Sequence, residues 1–149
     1  MYSINHNGLS AIFISLVLLF CMVAPSAASA QVLAGKTGSS PQWGSGWLDL
    51  APPPVDFAGG EHLKLVIGGS ADRILVRLLP QGGDPDKAIG LIPGVIDVPR
   101  SRIVEITLPE ARRQVVQISV HGGHNAWNHS LGDRNGPATI ISAERLRPN

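Results

Sequence analysis

Three histidines lie close together in a polar stretch near the end of the chain, SVHGGHNAWNHSLGDRNG, which spans residues 119–136. Neutral imidazoles are good ligands for zinc or copper, and a loop can bring His121, His124 and His129 around one ion. Asp133 is the natural fourth ligand. The spacing therefore raises the hypothesis of a metal-binding protein or a metal-dependent enzyme.

The same stretch contains groups that suit a sugar instead. An indole in a loop buries its apolar area only if something covers it, and a sugar ring or another chain could cover Trp127. Asn125, Asn128 and Asn135 supply paired donors and acceptors of the kind that recognise vicinal hydroxyls. The alternative is that Trp127 folds back as a plug over the end of the domain.

No sequence motif for catalysis is present. The chain lacks a nucleophile elbow, a zinc-protease helix, a phosphate loop and a dinucleotide fingerprint. We therefore predict a protein that is not an enzyme.

The first thirty residues read as a signal peptide, because the apolar run LSAIFISLVLLFCMVAPSAASA ends in small residues that a signal peptidase accepts. Cleavage after Ala30 would export the protein to the periplasm or the medium. The single cysteine, Cys21, lies in this segment, so the mature chain can form no disulfide.

The charge of the mature chain is balanced, with 12 basic and 11 acidic side chains interspersed. Such a distribution creates no field that attracts nucleic acid or an anionic membrane. The mature chain has no second long apolar run, so we expect no membrane segment after cleavage.

The domain boundaries follow from composition. Residues 31–45 are rich in Gly and Ser and predict a flexible lead-in, and residues 46–149 predict one domain. Within this domain, short runs alternate in hydropathy. EHLKLVI places Leu63, Leu65 and Ile67 on one face, and RIVEITL alternates in the same way, with its apolar face starting at Val104.

Two other runs add detail. RILVRLL has an apolar face and a mixed second face that would be partly covered. QVVQISVH predicts Val116, Ile118 and Val120 on one face and places Val115 and His121 on the other. Many short strands without βα alternation predict an all-β antiparallel sandwich of about seven or eight strands, with a small β-barrel as the alternative.

The segments IGGSADRILVRLL, VVQISVHGGHNAWN and ATIISAERL resemble the strand pattern of secreted jelly-roll sandwiches of the galactose-binding-like type, which include non-catalytic carbohydrate-binding modules. The likeness spans about residues 47–146. It implies a jelly-roll fold that binds ligand through loops or a concave sheet face, with Trp127, Asn125 and Asn128 at the sugar. The other tryptophans, Trp43 and Trp47, fall in or near the predicted lead-in, which counts against a sugar site.

The leading hypothesis is an exported, non-enzymatic binding module for a glycan or another cell-envelope component. The predicted site is the loop 121–135, with ligand-binding residues Trp127, Asn125, Asn128, His121, His124, Asp133 and Asn135. The alternatives are a protein-interaction domain with Trp127 as its plug, and the three-histidine metal site.

Overall fold

The computed structural model describes residues 29–147, which form short antiparallel strands. Gly and Pro interrupt the chain so often that no α-helix forms in this range. The strands are β1 Ser29–Val32, β2 Gly35–Ser40, β3 Ser45–Leu50, β4 Val55–Phe57, β5 His62–Gly69, β6 Arg73–Pro80, β7 Ile96–Asp97, β8 Ile103–Thr107, β9 Arg112–His121, β10 Asn125–Ala126, β11 His129–Ser130 and β12 Ala138–Arg147. A 3₁₀ turn, Pro41–Trp43, joins β2 to β3. Between residues 29 and 147 no helix is long and apolar enough to cross a membrane.

Two sheets carry the fold. The four-stranded sheet has the order β1-β12-β5-β8, and the six-stranded sheet has the order β2-β3-β9-β6-β7, with β4 also paired to β9. β10 and β11 form a separate hairpin. No sheet in this range closes on itself, so the predicted sandwich is confirmed and the small barrel is not formed.

Several connections pass from one sheet to the other, such as those from β5 to β6 and from β8 to β9. The last strand, β12, lies between β1 and β5, while β9 lies between β3 and β6. Strands distant in sequence therefore become neighbours in space, which is the jelly-roll arrangement of two Greek keys.

The core lies between the two sheets. Leu63, Leu65 and Ile67 of β5 are fully buried there, as predicted. They meet residues such as Ile118 from the six-stranded sheet, within one cluster of buried side chains. Burial of this apolar surface is the main stabilising contribution to the fold.

The predicted flexible lead-in at residues 31–45 is wrong. β1 pairs with β12, and β2 pairs with β3 from Gly35 to Ser40. Glycine is needed there for close approach: a Cβ on Gly35 would lie 2.0 Å from the carbonyl oxygen of Asp49. The Gly-rich composition therefore reflects tight strand contacts. The predicted signal peptide lies outside the described residues except for Ser29 and Ala30, and stays a prediction.

The predicted phase of β9 is wrong at its start. Val115 is buried in the core with Ile118 and Val120, while Val116 is only partly buried. The pairing with β6 shifts between Leu79 and Pro80, and such a bulge adds one residue to the alternation.

The second face of β6 is covered more fully than the sequence predicted. Leu75, Arg77 and Leu79 point away from the core, yet all three are buried. Leu75 packs against Ala126 and Leu131 in a small second cluster. The polar stretch thus folds back over the outer face of the six-stranded sheet.

Candidate functional site

The candidate site is a groove on the outer face of the six-stranded sheet, which we call the main groove. Trp47, Ser119 and Arg77 lie directly opposite one another on β3, β9 and β6. Their neighbours along each strand point into the core, so these three side chains point outward. The groove has a volume of about 470 Å³.

All three tryptophans of the chain line the main groove. Trp47 lies on the sheet itself, and its indole sits against Gly38 of β2, where a Cβ would come within 2.5 Å of the ring. Trp43 lies on the 3₁₀ turn and is 69% exposed. The groove therefore has aromatic surface on its floor and along its rim.

Trp127 is placed by a tight turn. Trp127 and Asn128 connect β10 to β11 with φ angles of 42° and 68°. Positive φ at both central residues defines the two-residue hairpin turn whose twist matches that of the flanking strands. Residues other than Gly rarely adopt this backbone conformation. The partly buried indole packs against the cluster of Leu75, Ala126 and Leu131, and this packing offsets the backbone strain of the turn.

Arg77 forms the centre of the groove floor and is 4% exposed. Its Nε donates to Ser119 Oγ at 3.1 Å, and its Nη1 donates to the carbonyl oxygens of Pro85 and Lys87, the latter at 3.2 Å. The guanidinium carbon lies 4.9 Å from the centre of the Trp127 ring. Arg77 therefore connects the sheet, the loop at residues 84–87 and the tryptophan turn.

The charge of Arg77 is compensated locally. Burial lowers the pKa of Arg77, and the carboxylates of Asp86 and Asp84 oppose this effect. Asp86 also lines the groove. Arginine stays protonated even when buried, so the floor holds a fixed cation beside two acidic side chains.

His121 forms one wall of the groove. Its ring centre is 5.4 Å from that of Trp127, and the two rings are tilted by 51°. Burial lowers the pKa of His121; a hydrogen bond with the backbone of Asn125 opposes this effect, and the Arg77 cation adds to it. His121 is therefore neutral near pH 7.

A second cavity, which we call the side pocket, adjoins the main groove. It has a volume of about 320 Å³ and shares Trp43 and His121 with the groove. Three of the predicted residues, His124, Asn125 and Asn135, also line it. The loop 121–135 therefore contributes to both cavities.

Some predicted site residues have structural roles. Asn135 Oδ1 accepts from the backbone nitrogens of Asp72 and Arg73, and its Nδ2 donates to Arg73 O at 2.8 Å. These bonds use the amide to fasten the loop to β6. Asn128 is exposed at the tip of the turn.

The predicted three-histidine metal site is not formed. Between residues 29 and 147, no three His, Cys, Asp or Glu side chains are close enough to hold an ion together. His121 faces Trp127, and His124 Nδ1 instead lies 3.1 Å from Asp133 Oδ1. His129 is partly buried in the short strand β11.

The sequence interpretation missed most of the groove floor. Trp47, Arg77, Gln117 and Ser119 lie on strands that become neighbours only through long-range pairing. One local signal was available: an arginine in the middle of the apolar run RILVRLL must find partners if the strand is buried.

The fold and the groove define a class, a jelly-roll-like β-sandwich with a groove lined by aromatic side chains on one sheet. No protein-family model matches this chain, and neither a curated protein nor a solved structure is significantly similar to it.

Proposed function

We propose that this protein is an exported, non-enzymatic binding module that takes a glycan of the cell envelope or its surroundings in the main groove. The observation that carries the proposal is that all three tryptophans line one groove. An indole presents a flat apolar face with a polar edge, which suits the apolar face of a pyranose ring. The likeness to galactose-binding-like carbohydrate-binding modules points in the same direction.

The groove also offers polar groups for sugar hydroxyls. The Ser119 hydroxyl accepts from Arg77 and keeps its own proton free to donate. Gln117 also lines the groove and donates through Nε2 to Asp49 at 2.8 Å, which leaves its Oε1 able to accept a hydrogen bond. A few fixed polar groups among aromatic walls are typical of small-molecule sites.

A glycan array tests the proposal with four proteins: the wild type, Trp47→Ala, Trp127→Ala and the control Ile141→Ala. Ile141 is 63% exposed and lies on β12 in the other sheet. We expect the wild type and the control to bind the same glycan, and each tryptophan variant to bind at least about tenfold more weakly. Absence of glycan binding by the wild type, or equal binding by all four, overturns the proposal.

The second candidate is a protein-interaction domain in which Trp127 is a packing plug. The observation that favours it is the contact of Trp127 with the cluster of Leu75, Ala126 and Leu131. In that case Trp127→Ala lowers the free energy of unfolding. Trp43→Ala and Trp47→Ala then show the same response to sugar as the wild type. Trp43, which is 69% exposed, is the residue that packing explains least.

Export is tested by mass spectrometry of the protein from a secreting host. We expect a mature chain that begins at Gln31, which would keep Gln31 and Val32 of β1 paired with β12. A product that retains Met1 in the cell contradicts this part of the proposal.

A further inference from the structure

We propose that the site takes an uncharged linear glycan along its length, with sugar units on both sides of Trp43. This inference rests on the glycan-binding function proposed above and specifies its ligand. The starting observation is that the main groove and the side pocket share two side chains, Trp43 and His121. The two cavities are therefore adjacent parts of one surface.

Trp43 lines both cavities, and backbone hydrogen bonds hold the turn that carries it. Its turn ends at Gly44, whose φ of 66° lets its backbone nitrogen donate to Pro41 O. The carbonyl oxygen of Gly44 in turn accepts from Gly122 at 2.8 Å and from Ala138 at 3.1 Å. The turn is thus attached to Gly122, which directly follows β9, and to Ala138 of β12, while the Trp43 indole is largely exposed to solvent.

The sizes of the cavities favour a ligand of several units. The main groove, at about 470 Å³, and the side pocket, at about 320 Å³, each reach the size of a small-ligand site. A single sugar ring bound in one of them would leave the other cavity and one side of Trp43 uncovered. A linear chain that passes over Trp43 covers both.

The charges favour a neutral ligand. The charged side chains that line the main groove are one cation, Arg77, and one carboxylate, Asp86. Among the described residues, the side pocket is lined by no Asp, Glu, Lys or Arg side chain. Neither cavity therefore favours an ion of one sign.

The remaining polar groups suit hydroxyls. Gln42 and Asn125 line the side pocket, and Ser119 and Gln117 line the main groove. Amide and hydroxyl groups both donate and accept, so they can pair with hydroxyls of either orientation. We infer that both cavities recognise the same kind of repeating unit.

The test measures affinity against chain length. The probes are β-1,4-linked oligomers of glucose, mannose, xylose and N-acetylglucosamine, from one to six units, together with oligogalacturonate as the anionic series. Binding is followed by tryptophan fluorescence, which reports on this site alone because all three tryptophans line it. Isothermal titration calorimetry provides the second measurement.

We expect one neutral series to bind, with affinity that rises at least about tenfold between two and five units. Trp43→Ala should remove this gain, so that the variant binds five units no more than about twofold more tightly than two. Asn125→Ala, in the side pocket, should remove part of the gain. Ile141→Ala is the control and should leave every value unchanged.

The outcomes separate this inference from the proposed function. Equal affinity for two and five units, or a gain that survives Trp43→Ala, overturns the extended site and leaves glycan binding intact. Tighter binding of oligogalacturonate than of every neutral series overturns the inference that the ligand is uncharged. Binding of no probe in the test, together with a negative glycan array, overturns the proposed function as well.

Discussion

Replacement of Arg77 by methionine tests whether its guanidinium holds the groove together. Methionine keeps the apolar stem but removes the donors to Ser119, Pro85 and Lys87 and the contact with the Trp127 ring. The substitution therefore separates the polar contribution of Arg77 from its packing.

The expected cost follows from these contacts. A hydrogen bond to a charged group contributes about 1.5–3 kcal/mol, and a cation over an aromatic ring about 0.5–2 kcal/mol. Methionine carries no charge, so the variant avoids the desolvation cost of burying the guanidinium, and this offsets part of the sum. We expect Arg77→Met to lower the free energy of unfolding by about 3 kcal/mol.

The assay is urea unfolding followed by tryptophan fluorescence. The control is Arg113→Met at the exposed start of β9, which should change the free energy of unfolding by no more than about 0.5 kcal/mol. The emission of folded Arg77→Met should also shift, because Trp127 loses its neighbouring cation. A loss below about 1 kcal/mol with unchanged emission would refute the role given to Arg77.

Three further predictions concern the loop that covers the sheet. Leu131→Ala removes a fully buried side chain and should cost about 3 kcal/mol in urea unfolding, and a loss below about 1 kcal/mol would contradict the burial. Because the pKa of His121 is lowered in the folded state, the unfolded state takes up the proton first as the pH falls below about 6.5. The free energy of unfolding should therefore decrease from about pH 7.5 to about pH 5, and His121→Gln should weaken this dependence; an identical pH profile in the variant speaks against it. Asn135→Ala removes three hydrogen bonds to Asp72 and Arg73 and should cost about 2 kcal/mol in thermal or urea unfolding, whereas a neutral effect would show that the loop is held elsewhere.

The alternating strands were predictable from the sequence because alternation is a local property. The faces of β5 and β8 agree with the buried residues Leu63, Leu65 and Val104. The phase of β9 was not predictable past its bulge, since nothing in QVVQISVH marks the extra residue at Val116.

The groove was only partly predictable. Trp127 and His121 were identified because they stand out in a polar stretch. Trp43 and Trp47 were set aside because Gly and Ser around them suggested flexibility, whereas β2 and β3 pair there and Gly38 makes room for an indole. The row of Trp47, Ser119 and Arg77 depends on strand pairings that composition cannot show.

The pairing of β1 with β12 has a practical consequence for engineering. Ser29 lies directly opposite Arg147, and Cα atoms of such antiparallel partners are only about 5 Å apart. Both residues belong to the four-stranded sheet, whereas the main groove opens on the other sheet. A fluorescent protein or an enzyme fused after Arg147, or directly before Gln31 of the mature chain, would therefore leave the groove open, and a short linker from Arg147 to Gln31 would allow circular permutation.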